Sequence, residues 1–253
     1  VEAMFYYGNM IYNGEVDPSN KEEAFQYYKK ASERGHLDAI FNCGHMLFKG
    51  DGVTMNKREA YQYFQMAADK GHTKAIFEYA SVLRKGDEIN IDRVKALSYY
   101  KIAADKGVPR GMFYYALMLF HENGTEVNKI EALTYFERAA QKDDVPSMYY
   151  CGLIHEKGNG VAVNKEVASN FYKKAADKGY TKGMYKYALM VFQGDVDQAN
   201  EEEACHYFHM AADKGHLDSM YYYAIILLKE NKPTNFSEDC SYLQKAADQG
   251  HLN

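Results

Sequence analysis

The chain has 253 residues, of which 47% are apolar and 15% aromatic, and a formal net charge of −5 with the signs interspersed. This composition lacks the basic footprint of a nucleic-acid-binding protein, so no nucleic acid is expected among the partners. The longest strongly apolar run is 221–228, far shorter than the roughly 20 residues of a membrane-spanning helix. No direct membrane insertion is therefore expected.

One short motif, close to AADKGH, recurs along the chain at a fixed interval of 36 residues, with a last step of 35. A period of this length is the signature of a stacked repeat protein. We therefore predict a single array of seven repeats over 1–253, and we take the chain as a piece of a longer protein. The approximate repeat boundaries are 1–36, 37–72, 73–108, 109–144, 145–180, 181–216 and 217–251.

Each repeat is predicted to hold two helices joined by a short turn. In the second repeat the apolar residues from Asp38 to Lys49 follow a helical period, which predicts a first helix, called helix A. A second helix, called helix B, is predicted from Asn56 to about Lys70. Asn or Asp recurs at the position of Asn56 in all seven repeats, where its side chain can accept from the free N–H groups of the first helical turn.

Small residues recur in three columns of the repeat, represented by Ala39, Gly44 and Ala60 in the second repeat. Small side chains let two helix backbones approach closely, and aromatic residues in the neighbouring columns then fill the remaining space. Histidines follow the capping glycines at several repeat junctions, and a column of this kind is interpreted as structural rather than catalytic. These histidines are His36, His72, His216 and His251.

The repeat unit resembles that of a known family. It combines Ala-x-x-x-[Tyr/Cys]-[Gly/Ala], a Gly-x-Gly-Val turn that is clearest at 50–53 and 158–161, and Ala-x-x-Tyr-[Tyr/Phe]-x-x-Ala-Ala-x-x-Gly-His. This pattern is similar to the Sel-like repeat (SLR) family, a relative of the tetratricopeptide repeat, and the resemblance covers the chain seven times. It implies an all-α fold, an α-solenoid in which antiparallel helix pairs stack into a right-handed superhelix with the A helices lining its concave wall.

The resemblance also implies a function, since members of the family act as adaptors, some of them in ubiquitin-ligase complexes of the endoplasmic reticulum. We expect a non-enzymatic scaffold that binds a protein or peptide partner in its concave groove, for example in endoplasmic-reticulum quality control. One alternative is a passive spacer or a self-association module whose repeat ends stack on each other. Another is a hydrolase, as proposed for a cysteine-rich branch of the family, but this chain lacks that branch's cysteine pairs and any nucleophile motif.

The four cysteines do not suggest a disulfide framework. Cys205 and Cys240 occupy equivalent positions of adjacent repeats, about 10 Å apart, which exceeds the ~7 Å that a disulfide can bridge. This favours the cytoplasm, with the lumen of the endoplasmic reticulum as the alternative. Cys205, His206 and His209 resemble a metal site, but three ligands without a fourth make a poor zinc site. No metal or cofactor is expected.

The face of helix A that the packing columns leave over predicts the binding site. Residues 38, 42, 45 and 49 of the second repeat and their equivalents form one stripe along each A helix, here called the A-helix stripe. The residue types in this stripe vary between repeats, as those of a ligand-facing surface do. The column of residue 45 is polar in the first three repeats and apolar in the last four, which predicts a groove mainly over repeats four to seven.

The tyrosines of this stripe are expected to anchor a partner, and its charged residues to set the partner's orientation. The alternative for the apolar column is that it packs against the next A helix as part of the core. The expected partner-binding residues are Glu78, Arg110, Tyr114, Leu117, Tyr150, Leu153, Lys186, Leu189, Tyr222 and Ile225.

Overall fold

The computed structural model describes residues 1–16, 20–86, 89–122, 126–195, 199–229, 242 and 244. Within them it contains α-helices and no strand, which confirms the all-α prediction. Most of the predicted seventh helix B lies outside the described residues. The helices are α1 (Glu2–Tyr12), α2 (Lys21–Ser32), α3 (Leu37–Lys49), α4 (Lys57–Asp69), α5 (Thr73–Lys85), α6 (Arg93–Asp105), α7 (Pro109–Glu122), α8 (Glu126–Ala140), α9 (Val145–Lys157), α10 (Lys165–Asp177), α11 (Thr181–Gln193), α12 (Glu201–Asp213) and α13 (Leu217–Lys229).

The helices alternate as the repeat predicts, with the odd-numbered helices as A helices and the even-numbered ones as B helices. The chain divides into two compact units, unit 1 (Val1–Tyr115) and unit 2 (Ala116–Asn253). In unit 1 each helix from α1 to α6 packs against the next one, and in unit 2 the same holds from α8 to α13.

The small columns mark the closest approaches between A and B helices. A Cβ atom added to Gly152 would lie 2.7 Å from the buried ring of Tyr172, and one added to Gly44 would lie 2.9 Å from the ring of Phe64. Contacts this short do not occur between real side chains, so these positions exclude bulky residues. The small columns therefore let the aromatic rings of the B helices insert between the A helices.

Polar side chains cap the helices of both kinds. Asn56 Oδ1 accepts from the backbone N–H of Glu59 at 3.1 Å, and four other B helices are capped in the same way by Asn or Asp. Among the A helices, His72 Nδ1 accepts from the backbone N–H of Ala75 at 3.1 Å, and His36 caps α3 likewise. His36 and His72 are thus helix caps, which agrees with the interpretation of this column as structural, while His251 lies outside the described residues.

His216 makes the corresponding cap of α13. Its Nδ1 lies 3.3 Å from the backbone nitrogen of Ser219 and 3.0 Å from Ser219 Oγ. Burial lowers the pKa of His216 below its ordinary value of 6.5. The folded chain therefore takes up a proton at this ring less readily than the unfolded chain does. The stabilisation from neutral His216 is complete above about pH 6.5 and declines as the pH falls below that value.

We expect the substitution His216→Asn to reduce the loss of stability on acidification, because asparagine caps helices in this chain and does not titrate. Between pH 7.5 and pH 5.5 the free energy of unfolding of the natural chain should fall by about 0.5 kcal/mol more than that of the variant. Urea denaturation followed by circular dichroism at both pH values measures this difference. Equal pH dependence in the two proteins would contradict the role assigned to His216.

Candidate functional site

Two tyrosines of the A-helix stripe in unit 2 lie flat on buried aromatic rings of the B helices. Tyr150 stacks on Phe136 with ring centroids 5.0 Å apart and an interplanar angle of 8°, and Tyr222 stacks on Phe208 at 5.1 Å and 10°. Both phenylalanines are fully buried, whereas both tyrosines keep part of their surface exposed. Each tyrosine is therefore held in place by packing and still accessible to a partner.

Tyr114 holds the equivalent position on α7 and has a similar support. Its ring stacks on the buried ring of Tyr100 with centroids 5.3 Å apart and an angle of 20°. The guanidinium of Arg84 lies 5.0 Å from the centroid of the Tyr114 ring, within range of a cation–π interaction. This tyrosine is half-buried and belongs to unit 1.

Lys186 takes the place of a tyrosine in the same column on α11, and its charge is compensated. Its Nζ lies 2.9 and 3.1 Å from the two carboxylate oxygens of Glu156. The hydroxyl of Tyr172 donates to the same carboxylate at 2.5 Å. Burial, and then this hydrogen bond, raise the pKa of Tyr172, so its hydroxyl remains a donor. A partner in this region would meet an ion pair instead of an isolated cation.

The apolar column has features of both interpretations drawn from the sequence. Leu117, Leu153, Leu189 and Ile225 are all half-buried. Leu189 packs against the buried cluster of unit 2, to which Ile226 belongs. Each of these side chains therefore has one part in a packed environment and another part exposed to solvent.

The A helices of unit 1 enclose a cavity that sequence reasoning did not anticipate. It has a volume of about 660 Å³ and is lined mainly by residues of α1, α3 and α5, together with Tyr28 of α2 and Arg110 near the start of α7. Of the ten expected partner-binding residues, Glu78 and Arg110 line it. Its signal in the sequence was the polar character of the stripe in the first repeats, where short side chains such as Asn9 and Asn42 leave space open.

Two of the described cysteines, Cys43 and Cys151, are poorly suited to nucleophilic chemistry. Cys43 and Cys151 are buried free thiols, and burial raises the pKa of Cys43 to about 12 and raises that of Cys151 as well. Both thiols therefore stay protonated near neutral pH, and a thiol is a much weaker nucleophile than a thiolate. Cys205 is half-buried, and Cys240 lies outside the described residues.

The described part of the chain shows neither a cluster of metal ligands nor a membrane-spanning helix. No group of three or more His, Cys, Asp or Glu side chains there is arranged to hold a metal ion. None of the helices described is both long enough and apolar enough to cross a membrane.

The family model of the Sel1 repeat matches the sequence in seven successive segments. The chain belongs to the Sel1 repeat family. Sel1 repeat proteins generally mediate protein–protein interactions, and the family generally provides non-catalytic scaffolds. The matched segments are 1–36, 37–72, 73–108, 109–144, 145–180, 181–216 and 218–251.

Solved structures of Sel1 repeat proteins have the same fold. The protective antigen c5321 of uropathogenic Escherichia coli, with an SLR fold, is 23% identical over 98% of this chain, with a TM-score of 0.88. A Sel1 repeat protein from Oxalobacter formigenes is 24% identical over 98% of this chain, with a TM-score of 0.80. The chain spans 54% of the first protein and 72% of the second. These structures confirm an all-α repeat solenoid. No curated protein was found to match the chain.

Proposed function

We propose that the chain is a non-enzymatic scaffold that binds an extended segment of a protein partner along the A-helix stripe of unit 2. The observation that supports this most is the flat stacking of Tyr150 and Tyr222 on buried phenylalanine rings. An aromatic side chain that is already fixed loses little conformational freedom when a partner binds. Such preorganised tyrosines are typical anchors of protein interfaces.

The surroundings of these tyrosines favour an apolar segment with few charges. The half-buried leucines Leu153 and Leu189 offer apolar surface on α9 and α11. Between the two tyrosines the Lys186–Glu156 ion pair is internally compensated and so adds little net charge. A partner segment with apolar or aromatic side chains would bury this surface without leaving a charge unpaired.

The absence of tryptophan from the sequence permits a direct test of this proposal. A library of random 12-residue peptides displayed on phage is selected on the chain, and the selected peptides are synthesised. Tyr222→Trp then places one fluorescent reporter in the stripe, and Phe171→Trp places a matched reporter on α10. We expect the selected apolar peptides to shift the emission of the first reporter but not of the second. Apolar peptides that bind without affecting the Tyr222→Trp reporter would contradict the proposed site.

A further inference from the structure

Two cations of unit 1 stand beside the cavity, and neither forms an ion pair with another described residue. Lys74 on α5 and Arg110 on α7 hold equivalent positions in successive repeats, and both are exposed residues of the cavity wall. Lys74 has no ion pair within the described residues, and the guanidinium of Arg110 lies 5.9 Å from the centroid of the Phe77 ring. In a chain with a net charge of −5, this is a local excess of positive charge.

The same position carries carboxylates in the first two repeats, and each of these carboxylates contacts a histidine. Glu2 lies 3.3 Å from His36 Nε2, and Asp38 lies 3.0 Å from His72 Nε2. Each carboxylate thus interacts with the histidine that caps the following A helix. In the third and fourth repeats, this column changes from carboxylates that contact histidines to Lys74 and Arg110, which have no ion pair among the described residues.

The rest of the cavity wall offers apolar surface for peptide side chains and polar groups for a peptide backbone. Phe41 and Phe77 supply apolar surface, and Asn42 supplies an amide. The hydroxyl of Tyr28 donates to Asn9 Oδ1 at 2.7 Å, which leaves the Nδ2 group of Asn9 to donate to an occupant. Glu78, between the two cations in sequence, can accept from a backbone N–H but would repel a continuous polyanion such as nucleic acid.

One buried donor on α5 and another on α6 also lack a hydrogen-bond acceptor within the described part of the chain. In the fifth repeat the chain's own Glu156 accepts from the hydroxyl of Tyr172 at 2.5 Å. In the third repeat the equivalent of Glu156 is Arg84, and the equivalent tyrosine is Tyr100. The hydroxyl of Tyr100 and the Nε of Arg84 are buried and have no hydrogen-bond partner among the described residues. Arg84 thus leaves one donor unsatisfied on the helix that carries Lys74, and neither Arg84 nor Tyr100 lines the cavity.

We propose that the unit 1 cavity binds an acidic peptide segment, at a site separate from the one proposed above and with different chemistry. Equivalent positions on successive A helices lie about 10 Å apart. An extended peptide advances ~3.3 Å per residue. The carboxylates that pair with Lys74 and Arg110 would therefore belong to residues three positions apart in the peptide, with an apolar side chain between them against Phe41 and Phe77.

The test uses the full chain and the same random 12-residue phage library, selected at low salt. We expect a class of peptides with Asp or Glu at positions i and i+3. Lys74→Glu combined with Arg110→Glu should weaken their binding at least tenfold in fluorescence anisotropy. The matched control is Lys70→Glu combined with Lys106→Glu, which makes the same charge change at exposed positions directly after α4 and α6, outside the cavity. This control should change the dissociation constant less than twofold.

A charge-swap measurement keeps the proposal testable if the variant loses some stability. Peptides in which lysine replaces the two acidic residues should bind the Lys74→Glu, Arg110→Glu chain more tightly than they bind the natural chain. The proposal is overturned if no acidic class is selected, if both charge-reversed chains lose binding equally, or if the swap gives no recovery. Acidic peptides should still bind a Leu153→Asp, Leu189→Asp chain, so failure of this site and failure of the proposed function are distinguishable.

Discussion

The substitution Gly152→Leu should lower the free energy of unfolding by at least about 2 kcal/mol. The first carbon of the new side chain would lie 2.7 Å from the ring of Tyr172. That ring is fully buried, and its hydroxyl is held by Glu156 at 2.5 Å, so it has no free space into which it can turn. Relief of the overlap requires separation of α9 from α10. Urea denaturation followed by circular dichroism measures the loss.

The matched control for this prediction is Lys157→Leu, which adds the same side chain at an exposed position of the same helix. We expect this control to unfold within about 0.5 kcal/mol of the natural chain, as surface substitutions commonly do. Gly152→Ala should cost less than Gly152→Leu, because Ala80 and Ala188 occupy the equivalent position of other repeats. If Gly152→Leu unfolds at the same urea concentration as the control, close helix approach does not hold the repeat together.

The double substitution Leu153→Asp with Leu189→Asp should weaken the binding of apolar selected peptides by more than tenfold. It places two negative charges on the surface that the proposed partner segment buries, and burial of an unpaired charge is strongly unfavourable. Fluorescence anisotropy with labelled peptides gives the dissociation constants, and circular dichroism establishes that each variant is folded.

The control for this second prediction makes the same kind of change on other surfaces of unit 2. Ile130 is 50% exposed and Val163 is 58% exposed, so Ile130→Asp with Val163→Asp adds two charges without entering the stripe. This control should bind within twofold of the natural chain. Leu189 also packs against the buried cluster, so the aspartate pair could disturb the fold. The milder pair Leu153→Ser with Leu189→Ser should also weaken peptide binding relative to the control, but by a smaller factor than the aspartate pair. Equal binding by all variants would contradict the proposed interface.

The fold could be predicted from the sequence because each repeat needs the same few contacts. The period of 36 residues fixes where Gly44 and Gly152 recur, and the aromatic columns that fill the space opposite them recur with it. Helix caps such as Asn56 and His72 follow the same spacing. Consistent local signals of this kind leave few competing arrangements, so the all-α repeat fold followed from pattern alone.

The site could be predicted only in part, because its properties depend on distances between repeats. The sequence indicates that Lys186 and Tyr222 share a column, but it does not show that Lys186 is neutralised by Glu156, 30 residues earlier. The same spacing joins Lys173 to Glu203 and Lys165 to Asp195. A spacing six residues short of the repeat period is therefore a signal that could have identified these ion pairs.

The unit 1 cavity escaped prediction for a different physical reason. Variation within a column indicates which side chains do not pack in the core, but it says nothing about the depth of the space between neighbouring A helices. That depth depends on short side chains such as Asn42 lying beside longer ones such as Phe41 and Phe77. The choice of repeats four to seven for the groove followed apolar character alone and remains a prediction for unit 2.

The most direct test of the account is a crystal structure of the chain bound to one of the selected apolar peptides. We predict that the peptide lies in an extended conformation against α9, α11 and α13 and contacts the rings of Tyr150 and Tyr222. A peptide bound instead to the exposed surface of the B helices, with no contact to either tyrosine, would contradict the assignment of the A-helix stripe as the partner-binding surface.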